Sequence, residues 1–120
     1  MLKKLLEFNN INKGNKLIIT THSPYLINYL SIAILGENLL KKINNNKNSQ
    51  MFMEKLEKIV PRISVVNASD VQVYQLDEKN GIIKKLSSSE GIPSDKNYLN
   101  QSLRHGNEMF DSLLSIEEEL

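Results

Sequence analysis

The residues best placed to do chemistry lie in one segment, Leu17-Ile18-Ile19-Thr20-Thr21-His22-Ser23-Pro24-Tyr25-Leu26. Thr21, His22 and Ser23 form a polar cluster where an apolar run stops and a helix signal begins. Ser is a favoured N-cap, and Pro24 suits the first helical position because its missing N–H has no intrahelical partner there. In open α/β sheets, ligands bind beyond the carboxyl ends of the strands. A helix N-terminus at such a place offers unpaired amides and partial positive charge, both favourable to phosphate. The imidazole of His22 would then donate to a phosphate oxygen or position a water. The plainer alternative is that His22 and Ser23 serve only as turn and capping residues.

The elements that must hold this cluster follow from the flanking periodicities. Residues 2–11 read as a short helix, with Leu2, Leu5, Leu6 and Ile11 near a 3.6-residue period and Gly14 in the turn beyond. Residues 16–21 contain the continuous apolar run Leu17, Ile18 and Ile19, the pattern of a strand covered on both faces in a parallel sheet. The helix after Ser23 has a broad apolar face of Leu26, Ile27, Leu30, Ala33 and Ile34 and is expected to be largely buried, reaching about Leu40. Residues 41–50 are polar and Asn-rich, a loop or insertion, and residues 51–60 resume helical spacing until Pro61 closes them. From Val71 the period becomes two. The run through Leu76, the turn Asp77-Glu78-Lys79-Asn80-Gly81 and the return from Ile82 to Leu86 predict a hairpin. Ser94 is a candidate cap for a last helix. That helix strings Leu99, Leu103, Phe110, Leu113 and Leu114 along one stripe, expected to be core or a dimer contact, and ends in Glu117, Glu118 and Glu119.

Composition narrows the function classes. The chain has 120 residues, enough for one small domain. It has 0 Cys, which removes disulfides, thiol nucleophiles and thiolate metal sites, and fits a cytoplasmic location. Two histidines without cysteine make a zinc site a poor reading. No G-x-S-x-G elbow supports a Ser–His hydrolase. No apolar run approaches a membrane span, so no membrane partner is expected. The net charge is +1, yet residues 1–62 carry 10 basic and 4 acidic side chains while residues 63–120 carry 5 and 10. Lys3, Lys4, Lys13 and Lys16 would serve a nucleic-acid contact, but no aromatic residues interleave them, and a solvated face explains them as well. His105, beside Arg104 and Gly106, reads as a surface residue.

The string LIITTHSPYLIN resembles the switch, or H-loop, segment of ABC-type ATPases, closest to the bacterial AAA-type and overcoming-lysogenization-defect group, with RecF and SMC proteins more distant. Residues 2–11 are similar to the helix preceding that segment, DVQVYQLDEKNGIIKKL to the family's late β-hairpin, and NYLNQSLRHGNEMFDSLL to its closing helix. The resemblance implies an α/β fold, the incomplete C-terminal half of a P-loop-NTPase-like domain. Its parts would be residues 1–40 (helix, one buried strand, H-loop, helix), 41–62 (polar insertion and helix) and 63–120 (β-hairpin and final helix). It implies that His22 is the switch histidine, that Thr21 and Ser23 shape the phosphate-contacting loop, and that residues 70–76 form a neighbouring core strand. ATP and Mg²⁺ are the cofactors it brings, and DNA is a partner through the full-length protein.

The departures are as informative. The 5 glycines never approach G-x-x-x-x-G-K-[ST], and there is no Q-loop, no signature Ser-Gly segment and no apolar strand ending in paired acids. The main sources of phosphoryl-transfer catalysis are therefore outside this sequence. The expectation is a chain incompetent for ATP hydrolysis alone, whose partner is the missing N-terminal ATPase portion or a second copy in a homo-oligomer. The alternative is a non-catalytic interaction or dimerisation module that keeps a remnant of the fold.

Overall fold

Two small apolar cores organise the chain, both built on one long helix. The computed structural model describes residues 1–77 and 79–120. Helix α1 spans Leu2–Asn10, α2 Pro24–Ile43 and α3 Ser49–Ile59; two 3₁₀ turns, Arg62–Ser64 and Ala68–Asp70, lead to β1 (Tyr74–Leu76) and β2 (Ile83–Lys85). A second, shorter hairpin of β3 (Ser88–Ser89) and β4 (Ile92–Pro93) precedes α4, Tyr98–Glu119. The fold is thus mixed helix and strand, and both of its two-stranded sheets are antiparallel.

In the first core, Leu2 and Leu6 of α1 meet Ala33 of α2, with Ile19, Leu26, Tyr29, Leu30 and Val66 packed around them. In the second, Leu56 and Val60 meet Val65, with Leu40 and Ile43 of α2 alongside. Ile34 lies on the same buried side of α2 and is fully enclosed; burying such a side chain contributes about 1.5–3 kcal/mol. Asn10 links the cores: its Nδ2 donates to the carbonyls of Ile63 and Val65, at 2.9 and 3.0 Å. The connector is also held from within, where the buried Ser64 hydroxyl donates to the Pro61 carbonyl.

The sequence-predicted hairpin is present, with Tyr74 opposite Lys85 and Leu76 opposite Ile83. Its turn is closed by side chains. Asp77 Oδ1 accepts from the Lys79 amide, Asn80 Oδ1 from the Ile82 amide, and Lys84 Nζ stands 3.5 Å from Asp77 Oδ2. Gly81, at φ +68°, takes the left-handed conformation that the Asn-Gly signal predicts. The small β3–β4 hairpin is an addition. Its two central residues, Glu90 and Gly91, both have positive φ, the backbone pattern of a type I′ turn.

Several expectations are corrected. Residues 16–21 form no strand: they carry no regular structure, and Ile18 is 91% exposed. A strand exists only with a neighbour to pair with, and both ladders here are used by the hairpins. Residues 70–76 are not a core strand either; only the last three are strand, and Tyr74 and Leu76 are exposed. Helix α2 runs on to Ile43 and α3 starts at Ser49, so the polar stretch shrinks to a short turn. It is also less buried than expected, with Ile32, Leu35 and Leu39 exposed. The cap of α4 is Asn97, whose side chain accepts from the Asn100 amide, rather than Ser94. Finally, the apolar stripe of α4 is not core in this chain: every residue from 101 to 120 is exposed. The radius of gyration, 18.1 Å, exceeds the about 14 Å of a close-packed chain of this length. The long axis of 59 Å reflects the same open form.

Candidate functional site

Thr21, His22 and Ser23 lie together immediately before α2, the arrangement their sequence order predicts. Ser23 is the N-cap residue, with extended backbone at φ −93° and ψ 119°, and Pro24 opens the helix. The turn is shaped by Thr21, whose Oγ1 accepts from the Ser23 amide at 2.9 Å. Ser23 departs from expectation in one respect: its hydroxyl makes no capping hydrogen bond. The first turn of a 20-residue helix is therefore left without a side-chain cap and without an acidic residue. Its N-terminal partial positive charge is uncompensated locally.

His22 is exposed, between the half-buried Thr21 and Ser23, and has no hydrogen-bond or ion-pair partner among the described residues. It contributes nothing to the cores; its neighbours Ile19 and Leu26 do. The local geometry thus anchors the segment on both sides of the imidazole and leaves the ring free to meet a ligand. An anion at the start of α2 would meet the Tyr25 amide, since Pro24 has no N–H and the Ser23 and Leu26 amides are already bonded, together with the exposed imidazole.

The arrangement does not supply a complete catalytic centre. Among the described residues no group of three His, Asp or Glu side chains converges to hold a metal ion. The first turn of α2 holds no acidic residue that could bind a Mg²⁺ beside His22. An open concavity of about 690 Å³ lies elsewhere, along α3 past Ser49, Met53, Glu57 and Arg62. It includes none of Thr21, His22 or Ser23, and its Glu57 and Arg62 are occupied with each other at 3.6 Å. It is an open gap beside a helix, separate from the Thr21–Ser23 junction.

His105 is exposed on α4, the surface position its sequence context predicts. No helix among the described residues is long and apolar enough to cross a membrane. Comparison with known proteins finds no matching family model, no similar curated protein and no similar solved structure.

Proposed function

We propose that this chain is the C-terminal portion of an ABC-type ATP-binding and ATP-hydrolysing domain, contributing the switch histidine and requiring further polypeptide for activity. The observation that carries the reading is the junction itself: an exposed His22 between an apolar segment and the uncapped start of α2. The apolar segment fits the same idea. Leu17 and Ile18 are exposed and unpaired, as an inner strand is when the strands that flank it belong to another stretch of chain.

In this reading His22 contacts the terminal phosphate region of ATP, with Thr21 and Ser23 holding the loop that presents it. Mg²⁺ and the phosphate cradle are assigned to further polypeptide, because this sequence has no Walker-type glycine loop and no apolar strand ending in paired acids. When bound, Mg²⁺ would neutralise developing charge on the phosphates. This chain's own task is to position a proton-bearing ring at them. DNA enters only as a partner of the whole protein.

The test begins with ATP titrated calorimetrically into the chain, where no micromolar binding is expected; such binding would overturn the reading. Adjoining coding sequence should carry Walker A and Walker B segments. With the domain completed by that segment, His22→Ala should lower hydrolysis by about 10²-fold or more while nucleotide affinity stays within a few-fold. Full-rate hydrolysis by the variant would refute the assignment.

A second reading is favoured by one observation, the exposure of α4 from residue 101 onward: a non-catalytic interaction or dimerisation module. Under it, His22→Ala leaves every binding property unchanged.

A further inference from the structure

Helix α4 is amphipathic over its full 22 residues, and almost none of its apolar face is used within the chain. At about 100° per residue, its apolar side chains fall within an arc of roughly 160°. Leu99, Leu103, Phe110, Leu113, Ile116 and Leu120 lie in that arc, with Ser102, Gly106 and Glu117 among them. Phe110 is 61% exposed and Leu113 63%.

Two further features are unexplained inside one chain. Gly106 sits mid-helix in the middle of the apolar arc, although a Cβ there would meet nothing within 4 Å. Glycine weakens a helix interior, and its usual justification is the close approach of another backbone. Glu117, Glu118 and Glu119 stand at the C-terminal end of α4, where their charge opposes the helix dipole, and no basic residue is present in that last turn.

We propose that a second copy of this chain covers the face, α4 lying antiparallel on α4 of its partner about a two-fold axis between Met109 and Phe110. One register satisfies every feature at once. It sets Leu99 opposite Leu120 of the other copy and the bulk of Leu113 into the space left by Gly106. Ser102, the polar residue at the start of the arc, falls opposite Glu117 and donates its hydroxyl to that carboxylate. Glu118 and Glu119 come to rest beside the first turn of the other helix, where the dipole attracts them. A parallel pair would instead set Glu117 against Glu117 and leave glycine facing glycine. The surface is self-complementary, as a two-fold interface requires. The helix is about 33 Å long, so the starts of the two α4 helices lie at opposite ends of the pair. The proposal does not rest on the ATPase reading, because nothing about nucleotide enters it.

Sedimentation equilibrium of the full chain should give a dimer at micromolar concentration, and Leu113→Glu should give a monomer with the far-UV signal of the remaining elements retained. Gly106→Leu separates helix strength from pairing: it should raise monomer helicity yet weaken the dimer by roughly tenfold or more, an opposition that a merely structural glycine would not show. Because the chain has 0 Cys, orientation is readable by oxidation. A mixture of Leu99→Cys and Leu120→Cys chains should crosslink to each other, while Leu99→Cys alone should not, since a disulfide needs Cα atoms within about 7 Å. Self-crosslinking of Leu99→Cys would mean a parallel pair and would overturn the proposal. So would a wild-type chain that stays monomeric at high micromolar concentration, which would mean that the face is covered by a different polypeptide.

Discussion

Replacing Gly91 by alanine tests the packing of the short β3–β4 hairpin on the rest of the chain. Gly91 has φ +78°, and a Cβ added there would lie 2.1 Å from Ala68 Cβ and 3.5 Å from Ala68 Cα. Carbon atoms in contact prefer about 3.5–4.0 Å, so one backbone must move by more than an ångström. Ala68 has no flexible side-chain end to yield, and it begins a 3₁₀ turn whose Asn67 cap accepts from the Ser69 amide at 3.1 Å. The left-handed backbone costs an alanine about 1–2 kcal/mol, and overpacking adds about 1–3 kcal/mol. A less flexible unfolded chain returns about 0.4–1 kcal/mol. The net expected loss is about 1.5–4 kcal/mol. Gly81→Ala is the matched control: it also has positive φ, +68°, but nothing lies within 4 Å of its Cβ. It should cost only about 1 kcal/mol. Urea denaturation followed by circular dichroism measures both. Equal losses for the two variants would mean that the β3–β4 turn does not pack on Ala68, and the reasoning would fail.

Ile34→Ala removes the largest fully buried side chain and should cost about 2–5 kcal/mol in the same assay. Asn97→Ala removes a buried cap that accepts from the Asn100 amide and donates to the Ser94 carbonyl; α4 should fray at its start, at a cost of about 1–2 kcal/mol, seen as faster amide exchange there. Asp77 is held below its ordinary value of 3.8 by the Lys79 amide, with help from Lys84. A carboxylate with a lowered folded pKa contributes stability that is complete above the unfolded value and disappears as pH falls through the folded one. The β1–β2 hairpin should therefore loosen only in acid below the usual carboxylate range, as read from Ile83 and Lys84 amide shifts, and Asp77→Asn should flatten that profile. His22→Ala should leave folding within about 0.5 kcal/mol of wild type, because the ring is exposed and unpartnered.

The first and third helices, the β1–β2 hairpin and the amphipathic α4 were legible in the sequence because their signals are local. A 3.6-residue period or an Asn-Gly turn acts within a few residues, whatever the rest of the chain does. The cluster of Thr21, His22 and Ser23 at the head of a helix was legible for the same reason: Ser-Pro sets a helix start by backbone chemistry alone. The shorter hairpin was missed although Glu90-Gly91 supplies its turn, because two-residue strands of serine and isoleucine-proline leave no alternation to detect. Asn97 displaced Ser94 as cap by a choice among neighbours that depends on where the backbone turns, and both residues carry capping side chains.

Burial is where sequence ran out. The apolar run at 17–19 states that these residues prefer to be covered, but a strand needs donors and acceptors on an adjacent strand, and hydrogen bonds between strands are made at a distance along the chain. The stripe on α4 likewise declares a face without naming what it meets. The sequence by itself determined which segments turn into helices and hairpins and which faces are apolar. Tertiary structure alone decided which of those faces find a partner in the same chain, because covering a surface requires a second surface at the right place in space.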